Sequence, residues 1–222
     1  MKKRQLLTVG LFILLWKTTA QTAAFESEIR AFERKDSANA PVTGQILLYG
    51  SSTIRRWESF ETDFAVKDLR VVNRGFGGSQ TSEAIQYFER VVVPHRPKYL
   101  FFYEGDNDLN AGKSVEDVFS DYKTFIEMVK KQLPTTRLVL FSIKPSPSRI
   151  ALFDKQKVLN KQLWQLVQQQ KGVYFINTFS RMLDANGKPD PRLFKQDMLH
   201  MTADGYAIWT KQVQKLLKRL EK

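Results

Sequence analysis

The chain of 222 residues contains no cysteine and only two histidines. The first absence excludes disulfides, thiol nucleophiles and a cysteine-linked lipid anchor. The second confines any imidazole chemistry to His95 or His200. Low-complexity tracts and internal linkers are missing too, and 42% hydrophobic content is enough to bury one core, so one folded domain is expected. Long apolar runs are equally scarce. The run from Leu6 to Trp16 covers 11 residues, well short of the roughly 20 a spanning helix needs. It follows Lys2, Lys3 and Arg4 and precedes Thr18, Thr19 and Ala20, which is the order of a cleavable secretory signal. Residues 1–20 are therefore expected to be removed, near Ala20–Gln21 or Ala24–Phe25, leaving an exported protein, periplasmic or extracellular, without a transmembrane anchor.

Positive charge is plentiful. Losing Lys2, Lys3, Arg4 and Lys17 with the signal lowers the net charge from +12 to +8. Lys211, Lys215, Lys218, Arg219 and Lys222 lie on the polar side of a terminal helix whose Ile208, Val213, Leu216 and Leu217 face inward. With no zinc-finger spacing or aromatic RNA-binding signature beside them, these charges read as a solvated face, and no specific nucleic-acid partner is expected.

Short apolar runs without alternation, typical of strands covered on both faces, recur at 45–49, 69–73, 99–103, 138–143 and 173–176. Segments of helical period separate them at 53–60, 81–92, 115–133, 150–170 and 202–220. The alternation predicts an α/β fold, helices packing on both faces of a mostly parallel sheet. Residues 21–44 read as an N-terminal arm, helical at first, leading into a domain over 45–222.

In such sheets ligands collect at the carboxyl ends of the strands. These ends carry Gly50-Ser51-Ser52, then Asn73 to Ser79 with Gly77-Gly78, then Glu104-Gly105-Asp106-Asn107-Asp108, then Lys144 to Arg149. His95 precedes the third strand, at the wrong edge, and reads as structural. His200 opens the last helix three residues after Asp197, a spacing that lets the carboxylate reach Nδ1 and leaves Nε2 free to accept a proton from a serine. A backbone NH of the Gly77-Gly78 turn and the side-chain amide of Asn107 are suited to donate to a developing oxyanion. The aromatic residues Trp57, Phe76, Tyr103, Phe141 and Trp209 read mainly as core. The loop from Lys144 to Pro147 reads as a pocket wall.

These blocks together resemble the SGNH hydrolases, the GDSL esterase and lipase family. YGSST matches with Ser52 as nucleophile, NRGFGGSQ with Gly78, EGDND with Asn107, and DMLH with Asp197 and His200. The resemblance implies a three-layer α/β/α sandwich, flavodoxin-like, with five strands. It also implies a Ser52-His200-Asp197 triad and an oxyanion hole formed by the Ser52 backbone NH, Gly78 and Asn107. Three positions depart from the family pattern: Ser51 and Ser79 replace aspartates, and Asp106 stands where threonine is common. Ser51 is the weaker candidate nucleophile.

Other motifs are set aside. GSSTI lacks the second glycine of a G-x-S-x-G elbow, and GFGGSQ lacks a P-loop lysine. Asp106, Asp108, Asn110 and Asp117 depart from a calcium loop at the turn glycine and the final glutamate. Asp197 and His200 lack further metal-ligating neighbours, so neither cofactor nor metal is expected. The expectation is a serine esterase for short-chain or O-acetyl esters, with lysophospholipid and thioester substrates as alternatives in the same fold. A non-catalytic module binding glycan or lipid is the rival from another class. Oligomeric state is not legible.

Overall fold

The computed structural model describes residues 25–222 of the protein. The signal-like segment 1–20 and its expected cleavage lie outside the described residues. Two compact units are present, divided between Ala40 and Pro41. In the first, helix α1 covers 25–38, so the expected arm is helical for most of its described length. Among the described residues no helix is long and apolar enough to cross a membrane.

The second unit carries five strands: β1 (Ile46–Gly50), β2 (Val71–Gly75), β3 (Tyr99–Tyr103), β4 (Arg137–Phe141) and β5 (Val173–Ile176). They form one sheet in the order β2-β1-β3-β4-β5, and every pairing is parallel. The helices are α2 (Ser52–Arg55), α3 (Phe60–Asp63), α4 (Thr81–Val91), α5 (Asp106–Asn110), α6 (Val115–Gln132), α7 (Phe153–Gln168) and α8 (Ala203–Leu220). The fold is a three-layer α/β/α sandwich.

The pleat of β3 shows the layering, because alternate residues leave a strand on opposite faces. Tyr99, Phe101 and Tyr103 join a core with Trp57, Phe64 and the inner face of α8, where Trp209 stacks on Phe141 at 4.5 Å. On the other face Phe102 stacks on Phe125 of α6 at 3.8 Å and meets Tyr122 edge-on at 5.6 Å. Both faces of the sheet are thus covered, which explains why its strands lack polar alternation. Trp57, Phe76, Tyr103, Phe141 and Trp209 are all buried, as core residues.

Of the elements whose bounds differ from the sequence reading, two show the physical reason. The helix expected over 53–60 stops at Arg55 so that Trp57 can turn inward, where its ring lies 4.8 Å from Phe64 and its Nε1 donates to Asp63 at 2.7 Å. Strand β2 begins two residues later than expected. Asp68 takes a left-handed φ of 65° and Leu69 donates back to Val66, so that segment is a turn.

Parallel connections place the loops after β1, β2 and β3 side by side at one edge. The register pairs Gly50 with Gly75 on one side and with Tyr103 on the other. The chain moves outward from β1 to β2 and then returns to β3 beyond β1, so this edge is the switch point where the crevice opens.

Candidate active site

The turn after β1 depends on Gly50. Its φ is 137°, and a Cβ there would lie 2.0 Å from the Tyr103 carbonyl oxygen. The close approach lets Ser51 donate its NH to that carbonyl at 3.2 Å, and Ser51 is buried as the N-cap of α2. Ser52 is the next residue and starts the helical turn. The turn is held from both sides: Tyr206 of α8 donates to the Thr53 carbonyl at 2.8 Å, and Asn73 of β2 donates to the Ile54 carbonyl at 2.8 Å.

His200 is carried by a loop closed on itself, with Lys195 NH donating to the His200 carbonyl at 2.7 Å and Met198 in a left-handed φ of 53°. Thr202 accepts from Gly205 and caps α8 directly behind it. The Asp197 carboxylate receives three groups: the His200 NH at 2.9 Å, the Leu199 NH at 3.0 Å and His200 Nδ1 at 2.6 Å. Burial pulls its pKa up, but these hydrogen bonds outweigh burial and hold the carboxyl well below the ordinary carboxylate range. Since an ionised carboxylate only accepts, Nδ1 carries a proton, and in the neutral imidazole this leaves the lone pair on Nε2. Nε2 lies 3.1 Å from Ser52 Oγ. Of the two adjacent serines, Ser52 is the one brought to the imidazole. His95 lies in a 3-10 turn at the amino edge of β3, buried and away from this crevice.

Gly78 follows β2 with φ 85°, a conformation in which glycine carries no Cβ penalty. Asn107 lies in α5, after β3, and its Nδ2 donates to the carbonyl of Ser79 at 2.8 Å. That bond ties the two expected oxyanion loops together. The arrangement thus provides a proton acceptor on a hydroxyl and an amide beside a glycine turn, the combination needed for attack on an acyl carbon.

The GDSL-like Lipase/Acylhydrolase family profile matches residues 46–208. The chain belongs to this family. It is 25% identical over 154 residues to platelet-activating factor acetylhydrolase IB subunit alpha1 of Pongo abelii, an alignment covering 68% of this chain and 65% of that protein. The chain therefore matches 65% of the length of that curated relative. A GDSL-like lipase from Bacteroides thetaiotaomicron shares the fold at TM-score 0.74 and 20% identity, over 86% of this chain and 98% of that one. A carbohydrate esterase family 3 structure from Talaromyces cellulolyticus does so at TM-score 0.61 and 16% identity, over 80% and 98% of the two chains.

Behind the crevice of this acylhydrolase-family protein lie residues to which the sequence reading gave no part in the site. Glu104 is fully buried and its Oε1 lies 2.6 Å from Ser79 Oγ, which is also 3.1 Å from the Phe76 carbonyl. Ser79 has one hydroxyl hydrogen for two acceptors, unless Glu104 is protonated and donates. Burial, and then the charge of Asp108, push the Glu104 pKa well up, consistent with the neutral acid. Asp108 accepts from the Thr81 NH at 3.0 Å and pairs with Lys113 at 3.0 Å, fixing the start of α4.

The loop after β4, expected as a pocket wall, is instead largely interior. Lys144 is 1% exposed and pairs with Asp106 at 2.7 Å. Arg149 reaches across to Asp106 and Asn107. Desolvation raises the Asp106 pKa, but the charges of Lys144 and Arg149 prevail and lower it. The signal available in the sequence was the pair of cations after β4 facing an unusual aspartate, legible only once β3 and β4 were known to be neighbours.

Proposed function

We propose that the protein is an exported serine esterase that hydrolyses short-chain esters, acetyl esters above all. The observation that carries this reading is the hydrogen-bonded chain from Ser52 Oγ through His200 to Asp197, at 3.1 Å and 2.6 Å. His200 Nε2 takes the Ser52 proton while Oγ bonds to the carbonyl carbon, and the carbonyl electron pair moves onto oxygen. That oxyanion is met by the Ser52 NH, the Gly78 NH and Asn107 Nδ2. The pair then re-forms the carbonyl, the alcohol leaves with the proton from Nε2, and the acyl group remains on Ser52. Water repeats the sequence, with Nε2 accepting its proton and returning it to Ser52, and releases the carboxylic acid. Asp197 holds the ring in the required tautomer and balances the imidazolium charge.

The preference for acetyl rests on the acetylhydrolase and carbohydrate esterase names of similar proteins. Export rests on the N-terminal pattern. The test is a fluorophosphonate probe with mass analysis of the adduct, together with hydrolysis of p-nitrophenyl esters of increasing length, acetylated sugars, lysophospholipids and thioesters. An adduct on Ser52, abolished in Ser52→Ala, and fastest turnover on acetyl esters are expected. A folded wild-type protein that is neither labelled nor hydrolytic would leave the non-catalytic binding module standing.

A further inference from the structure

The amide of Asn107 is gripped at both ends. Its Oδ1 accepts from Arg149 Nη2 at 2.9 Å, and its Nδ2 donates to the Ser79 carbonyl at 2.8 Å. A guanidinium can only donate and a carbonyl can only accept, so the amide has a single permitted orientation. Flipping it would face two donors at one end and two acceptors at the other. One Nδ2 hydrogen is spent on Ser79, and the second carries no protein bond among the described residues. We propose that Arg149 is a positioning residue for the oxyanion-hole amide, fixing and polarising Asn107 so that this second hydrogen meets the developing charge.

Three further features fit that role. Arg149 is itself anchored: Nη1 lies 2.8 Å from Asp106 Oδ1, an ion contact rather than an aligned hydrogen bond, while Asp106 Oδ2 accepts from Lys144 Nζ at 2.7 Å. The side chains of Lys144, Asp106 and Arg149 are 1%, 5% and 10% exposed, so the guanidinium has little freedom. Two cations against one carboxylate leave an excess positive charge behind the amide. A cation on the amide oxygen draws electron density from the nitrogen and makes its hydrogens stronger donors. The same loop is bonded to the other half of the site, since the Ser148 NH donates to the Met198 carbonyl at 3.1 Å, two residues from His200. Arg149 thus sits on a loop joined to both the amide and the imidazole segment.

This inference rests on the serine-esterase reading, so its experiment begins with wild-type labelling and turnover on p-nitrophenyl acetate. Arg149→Met is expected to lower kcat about 10- to 100-fold with KM within about twofold, because only transition-state stabilisation is lost. Fluorophosphonate labelling should slow in parallel. Arg149→Lys, which keeps the charge but not the fork, should fall between the two. The deciding measurement is the cycle with Asn107→Ala: if Arg149 acts only through the amide, adding Arg149→Met to Asn107→Ala changes kcat by less than about twofold. Wild-type kcat in Arg149→Met, or a full additional loss in the double variant, overturns the proposal. If Arg149→Met does not fold, as judged by circular dichroism, the same cycle run with Arg149→Lys decides by the same criterion. A wild-type protein without labelling or turnover overturns both readings, whereas an active wild type with an additive cycle overturns this one alone.

Discussion

Gly50→Ala tests whether the site is built on backbone contact between β1 and β3. The methyl would lie 2.0 Å from the Tyr103 oxygen, and ordinary contact begins at 3.4 Å, so the strand ends must part by about 1.4 Å. The Ser51 NH to Tyr103 bond, now 3.2 Å, cannot survive that shift. Its loss removes about 1 kcal/mol. Forcing a side chain to φ 137° adds about 1–3 kcal/mol, and the overlap relieved by backbone movement adds about 1–3 kcal/mol more. A total of about 3–7 kcal/mol is a large share of the 5–15 kcal/mol typical of a domain. For a chain of this length, at about 2–4 °C per kcal/mol, the melting temperature should fall by roughly 6–28 °C. Calorimetry measures this directly. Because Ser52 is two residues on, labelling by the fluorophosphonate should slow even in the folded fraction at low temperature. A melting temperature within about 3 °C of wild type, with unchanged labelling, would refute the claim that strand contact at Gly50 shapes the turn.

Other variants separate the remaining roles. Asn107→Ala should lower kcat about 100- to 1000-fold with little change in KM, and a raised KM with unchanged kcat would point to ground-state binding instead. Asp197→Asn should lower kcat by on the order of 10⁴-fold while the protein stays folded, because an amide cannot hold the imidazole tautomer; wild-type turnover would remove Asp197 from the mechanism. Glu104 has its folded pKa raised above the ordinary 4.5. The stability it contributes is full below that value and is lost as pH rises through the folded pKa. Glu104→Gln, which cannot ionise, should therefore show a melting temperature that declines less than wild type from pH 6 to 9; parallel profiles would contradict a buried neutral acid. Intact mass of protein recovered from a secreting host should show a new N-terminus near Gln21 or Phe25, and retention of Met1 would contradict export by cleavage.

Much of the architecture followed from local pattern. Strand β3 was legible at both ends because Tyr99 to Tyr103 are apolar in a row, and burial on both faces requires that. The start of α6 at Val115 coincides with the segment of helical period expected from residue 115, and the structure caps it there, the Asp117 NH donating to Ser114 Oγ at 3.0 Å. The break after Arg55 was not legible. Helical period continued through the segment, and only the aromatic cluster around Trp57 reveals why the chain turns. Among the site residues, Ser52, Gly78, Asn107, Asp197 and His200 were readable as separate blocks at strand ends and before the last helix.

The sequence by itself determined the chemical inventory: no thiol, one imidazole at the right edge, and a serine after a glycine that permits a sharp turn. The tertiary structure alone decided which groups touch. Hydrogen bonds fall off within tenths of an ångström, so the choice of Ser52 over Ser51, the contact of buried Glu104 with Ser79, and the Lys144-Asp106-Arg149 cluster behind Asn107 depend on strand order and register. Those contacts join residues 25 to 148 positions apart, and no local pattern in the chain encodes such distances.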